Sequence, residues 1–279
     1  LFVIENNGYG LSTPNKEQFR GDSLAVRGEG YGVESLSIDG NNIVEVYTTV
    51  KEKIESIRKN PRPILLECFT FRMRGHEEAS GTKYVPKDVM EYWEKKDPVV
   101  NFEKYLLEKK VYSKGDIESV KESIKSEISE AVKISFDNSK FKVQEEEEIS
   151  DVFYPFTQKV QHPKEKNISE RRYVDAISDS LEQSMKKYKD LIIMGQDISD
   201  YGGVFKVTEG FVDKFGRDRV RNTPLCESAI VGTALGLSVE GIKSVVEMQF
   251  ADFVTCGFNQ IVNNLAKIHY RWGQNADVV

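Results

Sequence analysis

The alternation of strand, helix and strand between residues 35 and 69 is the feature that most constrains the fold. Leu36 and Ile38 alternate with serines, which is typical of a strand. From residue 43 to residue 57 the apolar positions recur every three or four residues, the spacing of one helical face. The run Ile64–Phe69 is nearly all apolar, as in a strand that is covered on both faces. This order predicts an α/β fold with a parallel sheet flanked by helices.

A second α/β unit is predicted in the C-terminal part of the chain, from residue 169 onward. The apolar patterns predict, in chain order, a helix at 173–185, a buried strand at 191–194, a strand at 245–246 and a helix at 253–268. Between the two units, residues 141–168 lack sustained periodicity and contain four consecutive glutamates. Such a block of like charge is typical of a linker. We therefore expect one domain in residues 1–140, a linker at 141–168 and a second domain in residues 169–279.

The charge balance and the hydropathy pattern exclude two classes of partner. Lys and Arg number 39 against 45 Asp and Glu, a net charge of −6, so the chain lacks the basic field that binding to a nucleic-acid backbone requires. No apolar run approaches the roughly 18 residues that span a bilayer, and the pattern of a signal peptide is missing. We expect no nucleic acid, no membrane and a cytoplasmic location.

The cysteines and the two termini add two further expectations. Cys68, Cys226 and Cys256 are far apart and show no CxxC spacing, which argues against a disulfide framework and against a zinc site. We expect them to be buried thiols in a reducing compartment. The chain has no initiator Met and is apolar at both ends, so we expect it to be an internal fragment of a longer protein.

The loop after the first apolar run is a candidate ligand site. Leu1 to Ile4 predict a buried strand, and ligands of open α/β sheets bind where such strands end. The dipeptide Asn7-Gly8 can be a simple turn, because Asn-Gly is a very common turn sequence. An Asn oxygen and a carbonyl two residues later could instead hold Mg²⁺, which prefers oxygen ligands and often bridges to phosphates. The residues alone leave both interpretations open.

His76 is the second candidate, in a loop that carries charges of both signs. The non-functional interpretation is a solvated surface loop. The functional one is a proton donor or anion partner near neutral pH, with Arg72 and Arg74 adding positive charge. Spacing does not choose between them.

Glu227 is the third candidate, at the start of an apolar helix. It can simply stabilise the helix dipole, an effect of about 0.3–1 kcal/mol. Leu225, Cys226 and Ile230, however, indicate buried surroundings. A buried carboxylate needs a partner or has a raised pKa, which makes Glu227 a candidate acid or base.

Several motifs together resemble one family. Residues 5–10 and the loop 71–80 are similar to the α-subunit of the thiamine-diphosphate-dependent 2-oxo acid dehydrogenases, the decarboxylating component of the pyruvate and branched-chain complexes. Residues 201–205, 222–227 and 249–253 resemble the β-subunit of the same enzymes. The resemblance implies two partial thiamine-diphosphate-binding folds joined by a linker. The first would be the C-terminal part of the α-type domain and the second the N-terminal part of the β-type, transketolase pyrimidine-type domain.

The resemblance also implies roles for particular residues. Asn7 and the carbonyl of Tyr9 would hold the Mg²⁺ of the cofactor's diphosphate, and His76 would lie near the diphosphate and the incoming lipoyl group. Glu227 would bond the ring nitrogen of the cofactor's pyrimidine and favour its imino form. The neighbours of the pyrimidine would be Leu225, Gln249 and Phe253.

The implied reaction is the oxidative decarboxylation of a 2-oxo acid, pyruvate or a branched-chain one, with acyl transfer to lipoyl-lysine. The implied cofactors are thiamine diphosphate and Mg²⁺, and the implied partner is the lipoyl domain of a dihydrolipoyl acyltransferase. A homo-oligomer is expected, as part of a longer fused chain, and the isolated fragment is expected to be inactive. The alternatives are a non-catalytic subunit or scaffold that keeps the fold, and a transketolase-like thiamine enzyme.

Overall fold

The computed structural model describes residues 1–77, 79–138, 142–157, 160, 162, 169–273 and 275–279. The chain divides into two compact units, residues 1–140 and residues 141–279. Both contain a parallel sheet with helices around it, which confirms the predicted α/β class.

The first unit contains a three-stranded parallel sheet and a small hairpin. Its elements are β1 (Phe2–Asn6), β2 (Tyr9–Gly10), β3 (Thr13–Pro14), α1 (Asn15–Gln18), α2 (Val26–Gly30), β4 (Glu34–Asp39), α3 (Ile43–Lys59), β5 (Ile64–Phe69), α4 (Lys87–Glu94), α5 (Pro98–Glu108) and α6 (Lys114–Asn138). The order of the parallel strands is β1-β5-β4, so β5 is central. The carboxyl ends of all three strands therefore meet at one edge of the sheet.

Helix α3 connects β4 to β5 and supplies the apolar cover of the sheet. It begins after Asn42, whose side chain accepts a hydrogen bond from the Glu45 amide at 3.3 Å, as an N-cap does. Val46 and Val50 pack against a buried cluster of Ile38, Leu66 and Cys68. The strand, helix and strand predicted from periodicity are thus present, because their apolar faces have a common surface to bury.

The second unit is built on another three-stranded parallel sheet. Its elements are α7 (Glu145–Ser150), α8 (Tyr173–Lys187), β6 (Ile192–Gly195), α9 (Phe211–Phe215), β7 (Val220–Asn222), α10 (Glu227–Val239), β8 (Ser244–Val246), α11 (Phe258–Asn263) and α12 (Ile268–Trp272). The strand order is β7-β6-β8. One core cluster of this unit contains six buried side chains, namely Met185, Leu191, Ile193, Ile198, Phe211 and Val220.

The prediction of one continuous helix from residue 253 to residue 268 is wrong. The segment begins as a 3₁₀ turn at Ala251–Gly257, continues as α11 and passes through a second 3₁₀ turn before α12. At Gly257 an added Cβ would lie 3.2 Å from Val231 Cγ2, so the first turn packs closely on α10. Asn263 and Asn264, at the end of α11, are weak helix formers.

One further expectation differs from the structure. Cys68 is buried as expected, but Cys226 and Cys256 are exposed, since one precedes α10 in a surface loop and the other lies in the 3₁₀ turn. The segment predicted as a linker contains α7, whose first turn is acidic and complements the helix dipole. Residues 141, 158–159, 161 and 163–168 of that segment lie outside the described residues.

Helix α6 is amphipathic but is covered only near its start. Ile117 is buried, whereas Val120, Ile124 and Ile128 on the same side are largely exposed. Across the described ranges, no helix has the length and apolar character needed to cross a membrane.

The buried position of Ile193 on β6 gives a test of the second core. Ile193 is 1% exposed, so Ile193→Ala is expected to lower the free energy of unfolding by about 2–5 kcal/mol. Val239→Ala, at a position that is 46% exposed, serves as the control and is expected to change it by about 0.5 kcal/mol or less. Urea denaturation followed by circular dichroism measures both, and equal effects would contradict this assignment of the core.

Candidate active site

The loop Asn7–Tyr9 leaves the carboxyl end of β1 and folds back on itself. The Asn7 Oδ1 accepts a hydrogen bond from the Tyr9 amide at 3.1 Å, which closes an Asx turn. Gly8 between them has φ +81°, a left-handed conformation that glycine adopts without steric cost. The turn interpretation of Asn-Gly and the ligand interpretation are therefore compatible, because the turn itself brings both oxygen-bearing residues to one loop.

A cavity of about 210 Å³ lies beside this loop. Asn7, Tyr9 and Asp22 are among the residues that line it. Phe71 and Trp93, whose rings stack with centroids 5.8 Å apart, form an aromatic wall. An amide oxygen and a backbone carbonyl are hard oxygen donors of the kind that Mg²⁺ selects, so the residues fit a magnesium ion that also binds phosphate. No cluster of three or more His, Cys, Asp or Glu side chains suited to a metal occurs in the described part of the chain.

A buried carboxylate that the sequence analysis did not single out lies behind this loop. Glu67 of β5 is fully buried and accepts five hydrogen bonds. The donors are Asn6 Nδ2 at 2.7 Å, the Leu24 amide at 3.0 Å, the Ala25 amide at 3.1 Å, Ser37 Oγ at 2.9 Å and Ser23 Oγ. Burial opposes ionisation, but the hydrogen bonds outweigh it and lower the pKa of Glu67 from 4.5 to about 2.

His76 is exposed and does not line the cavity beside Asn7. Its Nδ1 lies 3.0 Å from Nη1 of Arg72, and Nη2 of the same guanidinium donates to the Leu11 carbonyl at 3.2 Å. The guanidinium thus connects the His76 loop to the turn between β2 and β3. His76 is free to meet a partner from solvent, as both interpretations of this loop allow.

In the second unit, Glu227 is the first residue of α10 and is half-buried. Its Oε1 accepts a hydrogen bond from Gln196 Nε2 at 3.0 Å. Gln196 is buried just beyond the end of β6, and its carbonyl accepts from Gln249 Nε2 at 3.3 Å. The structure therefore brings together Glu227 and Gln249, two predicted site residues, through Gln196.

Sequence reasoning missed Gln196, although a signal was present. A polar residue directly after a buried parallel strand lies at the edge where ligands bind. It missed Glu247 as well, which follows β8. Burial raises the pKa of the Glu247 carboxyl, and its buried Oε1 has no hydrogen-bond partner among the described residues. A Cβ added at Gly203 would lie 3.5 Å from the other carboxyl oxygen, so the glycine loop closely approaches this acid.

The surroundings of Glu227 are less buried than the sequence indicates. Ile230 is buried, but Leu225 is 82% exposed and Cys226 is exposed, because both precede α10 in the loop that follows β7. Phe253 is half-buried and lies 5.5 Å from Phe250 between ring centroids. The loop before Glu227 is thus exposed, and Leu225 presents an open apolar surface.

Comparison with known proteins gives two family matches along the chain. The family described as dehydrogenase E1 component matches residues 1–144, and the transketolase pyrimidine binding domain matches residues 169–279. The chain is 43% identical over 99 residues to the 2-oxoisovalerate dehydrogenase subunit beta of Bacillus subtilis, and 47% identical over 100 residues to the pyruvate dehydrogenase E1 component subunit beta of Staphylococcus aureus. Each match covers 36% of this chain, and 30% and 31% of the respective relative.

The lowered pKa of Glu67 predicts how stability depends on pH. A carboxyl with a pKa of about 2 in the folded chain and 4.5 in the unfolded chain stabilises the fold above pH 4.5. That contribution, about 3 kcal/mol, is lost as the pH falls through this window. We expect the free energy of unfolding of Glu67→Gln to vary less between pH 5 and pH 2 than that of the unsubstituted chain.

Urea unfolding followed by Trp93 fluorescence measures this difference, with Trp272→Phe in both proteins so that only the first unit reports. Parallel pH profiles for the two proteins would contradict the assignment of a strongly ionised, buried Glu67.

Proposed function

Because the chain belongs to the dehydrogenase E1 component family, we propose that it takes part in the oxidative decarboxylation of a 2-oxo acid. Both matched families use thiamine diphosphate, typically with Mg²⁺. The proposed reaction ends with acyl transfer to the lipoyl-lysine of a partner acyltransferase. The observation that carries the proposal is the order of the two family matches on one chain, each with a polar cluster at the carboxyl edge of its sheet.

The proposal assigns the binding of the metal and the diphosphate to residues 1–140. Asn7 Oδ1 and the Tyr9 carbonyl would be ligands of Mg²⁺, and the turn closed at Gly8 keeps both on one loop. When bound, thiamine diphosphate supplies an electron sink for the pair left by departing CO₂. The cavity beside the loop, with its wall of Phe71 and Trp93, gives the diphosphate a partly dry site.

The binding of the pyrimidine is assigned to residues 169–279. Gln196 holds one carboxylate oxygen of Glu227, which leaves Oε2 to exchange a proton with a ring nitrogen. Gln249 is fixed to the backbone of Gln196, and Phe253 contributes an apolar edge. The exposed side chain of Leu225 is available to pack against a bound ring. This arrangement favours catalysis over a scaffold, because a scaffold needs no buried amide that orients a carboxylate.

The remaining assignments concern partners and context. The chain spans about 30% of the length of the curated relatives it matches. Since both family matches lie on this one chain, we propose that it acts as a fusion of an α-type and a β-type part. The exposed His76, held by Arg72, would meet the lipoyl domain that arrives from solvent. We also propose that residues 141–168 are a linker, that the protein forms a homo-oligomer and that it is located in the cytoplasm. Pyruvate and a branched-chain 2-oxo acid are both retained as substrates, since the relatives are named for each.

Substitution of Glu227 tests the proposed function. In the natural chain that contains this sequence, loaded with thiamine diphosphate and Mg²⁺, Glu227→Gln is expected to lower CO₂ release from a 2-oxo acid by about 100-fold or more. The amide keeps the size of the side chain but cannot exchange the proton, so the circular dichroism spectrum should remain unchanged.

Glu240→Gln, at the exposed far end of α10, is the matched control and should retain full turnover. Turnover by Glu227→Gln equal to that of the control would overturn the assigned role.

A further inference from the structure

Glu67 is a buried charged group for which the proposed reaction has no direct use. It lies on the central strand β5, within a run that is otherwise apolar, and all of its donors come from other segments. A carboxylate without water is tolerated only where hydrogen bonds replace hydration. Its position therefore constrains every segment that supplies one of those donors.

One of these segments leads directly into the loop that contains Asn7. Glu67 Oε1 accepts from Asn6 Nδ2 at 2.7 Å, which fixes the orientation of the Asn6 amide because a carboxylate can only accept. The Asn6 Oδ1 must then point the other way, where it accepts from the Gly8 amide at 3.1 Å and from Asn15 Nδ2 at 2.6 Å. Because Glu67 can only accept, it fixes the orientation of the Asn6 amide, and that amide in turn holds the backbone of the loop at Gly8.

A second segment that Glu67 holds leads to another residue of the same cavity lining. The Leu24 and Ala25 amides donate to the two oxygens of Glu67 at 3.0 Å and 3.1 Å. Asp22, two residues before Leu24, lines the cavity together with Asn7. One carboxylate thus holds both the residue before the loop that carries the proposed ligands and a second segment that leads to the cavity.

We propose that Glu67 is a positioning residue that holds the Asn7–Tyr9 loop, through the Asn6 amide, in the conformation that binds Mg²⁺. The inference rests on the proposed function, since that function assigns the Mg²⁺ of the diphosphate to this loop. Glu67 does not touch the metal. It acts as the outer-shell groups of metal sites do, whose loss costs about 10–100-fold in metal affinity.

The test measures Mg²⁺ binding rather than turnover. The natural chain that contains this sequence is titrated with Mg²⁺ in a calorimeter at a fixed, saturating concentration of thiamine diphosphate. Glu67→Gln replaces a carboxylate, which only accepts hydrogen bonds, with an amide that has one accepting oxygen and one donating nitrogen. Asn6→Ala removes the hydrogen bond between Glu67 and the residue before the loop, and leaves Glu67 its other donors. Each is expected to raise the dissociation constant of Mg²⁺ by about tenfold or more.

Ser37→Ala is the matched control, because Ser37 donates to the same carboxylate at 2.9 Å from β4 and lies outside the cavity lining. It removes a hydrogen bond of Glu67 but not the contact with Asn6. A purely structural role of Glu67 predicts that Ser37→Ala and Asn6→Ala weaken Mg²⁺ binding equally. The positioning role predicts a change of less than about twofold for Ser37→Ala.

A compensating exchange gives a second readout. Combining Glu67→Gln with Asn6→Asp reverses the polarity of the pair, so that the amide at position 67 donates and the carboxylate at position 6 still accepts from the Gly8 amide. The Leu24 amide, which donates to the same Oε1 in Glu67, loses its acceptor in this variant. The double variant is therefore expected to bind Mg²⁺ more tightly than Glu67→Gln alone, without reaching the affinity of the unsubstituted chain. If Glu67→Gln does not fold, Asn6→Ala and the double variant decide the question.

The variant Asn7→Ala distinguishes a failure of the positioning role from a failure of the proposed metal site. If Asn7→Ala weakens Mg²⁺ binding and Asn6→Ala does not, the positioning role of Glu67 is wrong and the proposed function stands. If Asn7→Ala leaves Mg²⁺ binding unchanged, the metal site itself is wrong, and the inference fails with it.

Discussion

The hydrogen bond between a buried amide and a carboxylate is the interaction on which the candidate sites of both units depend. In the first unit Asn6 Nδ2 donates to Glu67 at 2.7 Å, and in the second Gln196 Nε2 donates to Glu227 at 3.0 Å. In both cases the amide lies at or just beyond the carboxyl end of a parallel strand. An amide that donates to a fixed carboxylate cannot rotate without leaving a buried donor unpaired. Its orientation is therefore fixed, and with it the groups that bind to the amide oxygen or to the neighbouring residue.

The two pairs differ in which member is available to a ligand. Glu67 is fully buried and has all its donors within the chain, so its charge serves to hold the adjacent loop. Glu227 is half-buried, and among the described residues only its Oε1 has a hydrogen-bond partner. The same chemical pair therefore encloses a carboxylate fully in one unit and leaves a half-buried carboxylate oxygen available in the other.

The sequence predicts the elements better than the contacts between them. The helix α3 and the strand β5 follow from the spacing of apolar residues, because Val46 and Val50 of α3 pack on the apolar cluster to which Leu66 and Cys68 of β5 belong. Glu67 and Gln196 escaped notice because their partners lie 61 and 31 residues away, and periodicity carries no such information. A single charge within the covered run of β5 was a usable signal, since a buried carboxylate requires donors. The break between α11 and α12 and the exposure of Leu225 likewise depend on packing that local spacing does not encode.

A crystal structure of the natural chain with thiamine diphosphate and Mg²⁺ tests the central claim most directly. The account predicts that Asn7 Oδ1 and the Tyr9 carbonyl both lie within about 2.0–2.1 Å of the metal. It also predicts that Glu227 Oε2 is at hydrogen-bond distance from a pyrimidine nitrogen. A cofactor bound with neither oxygen in the coordination shell of Mg²⁺, or with Glu227 turned away from the ring, would contradict it.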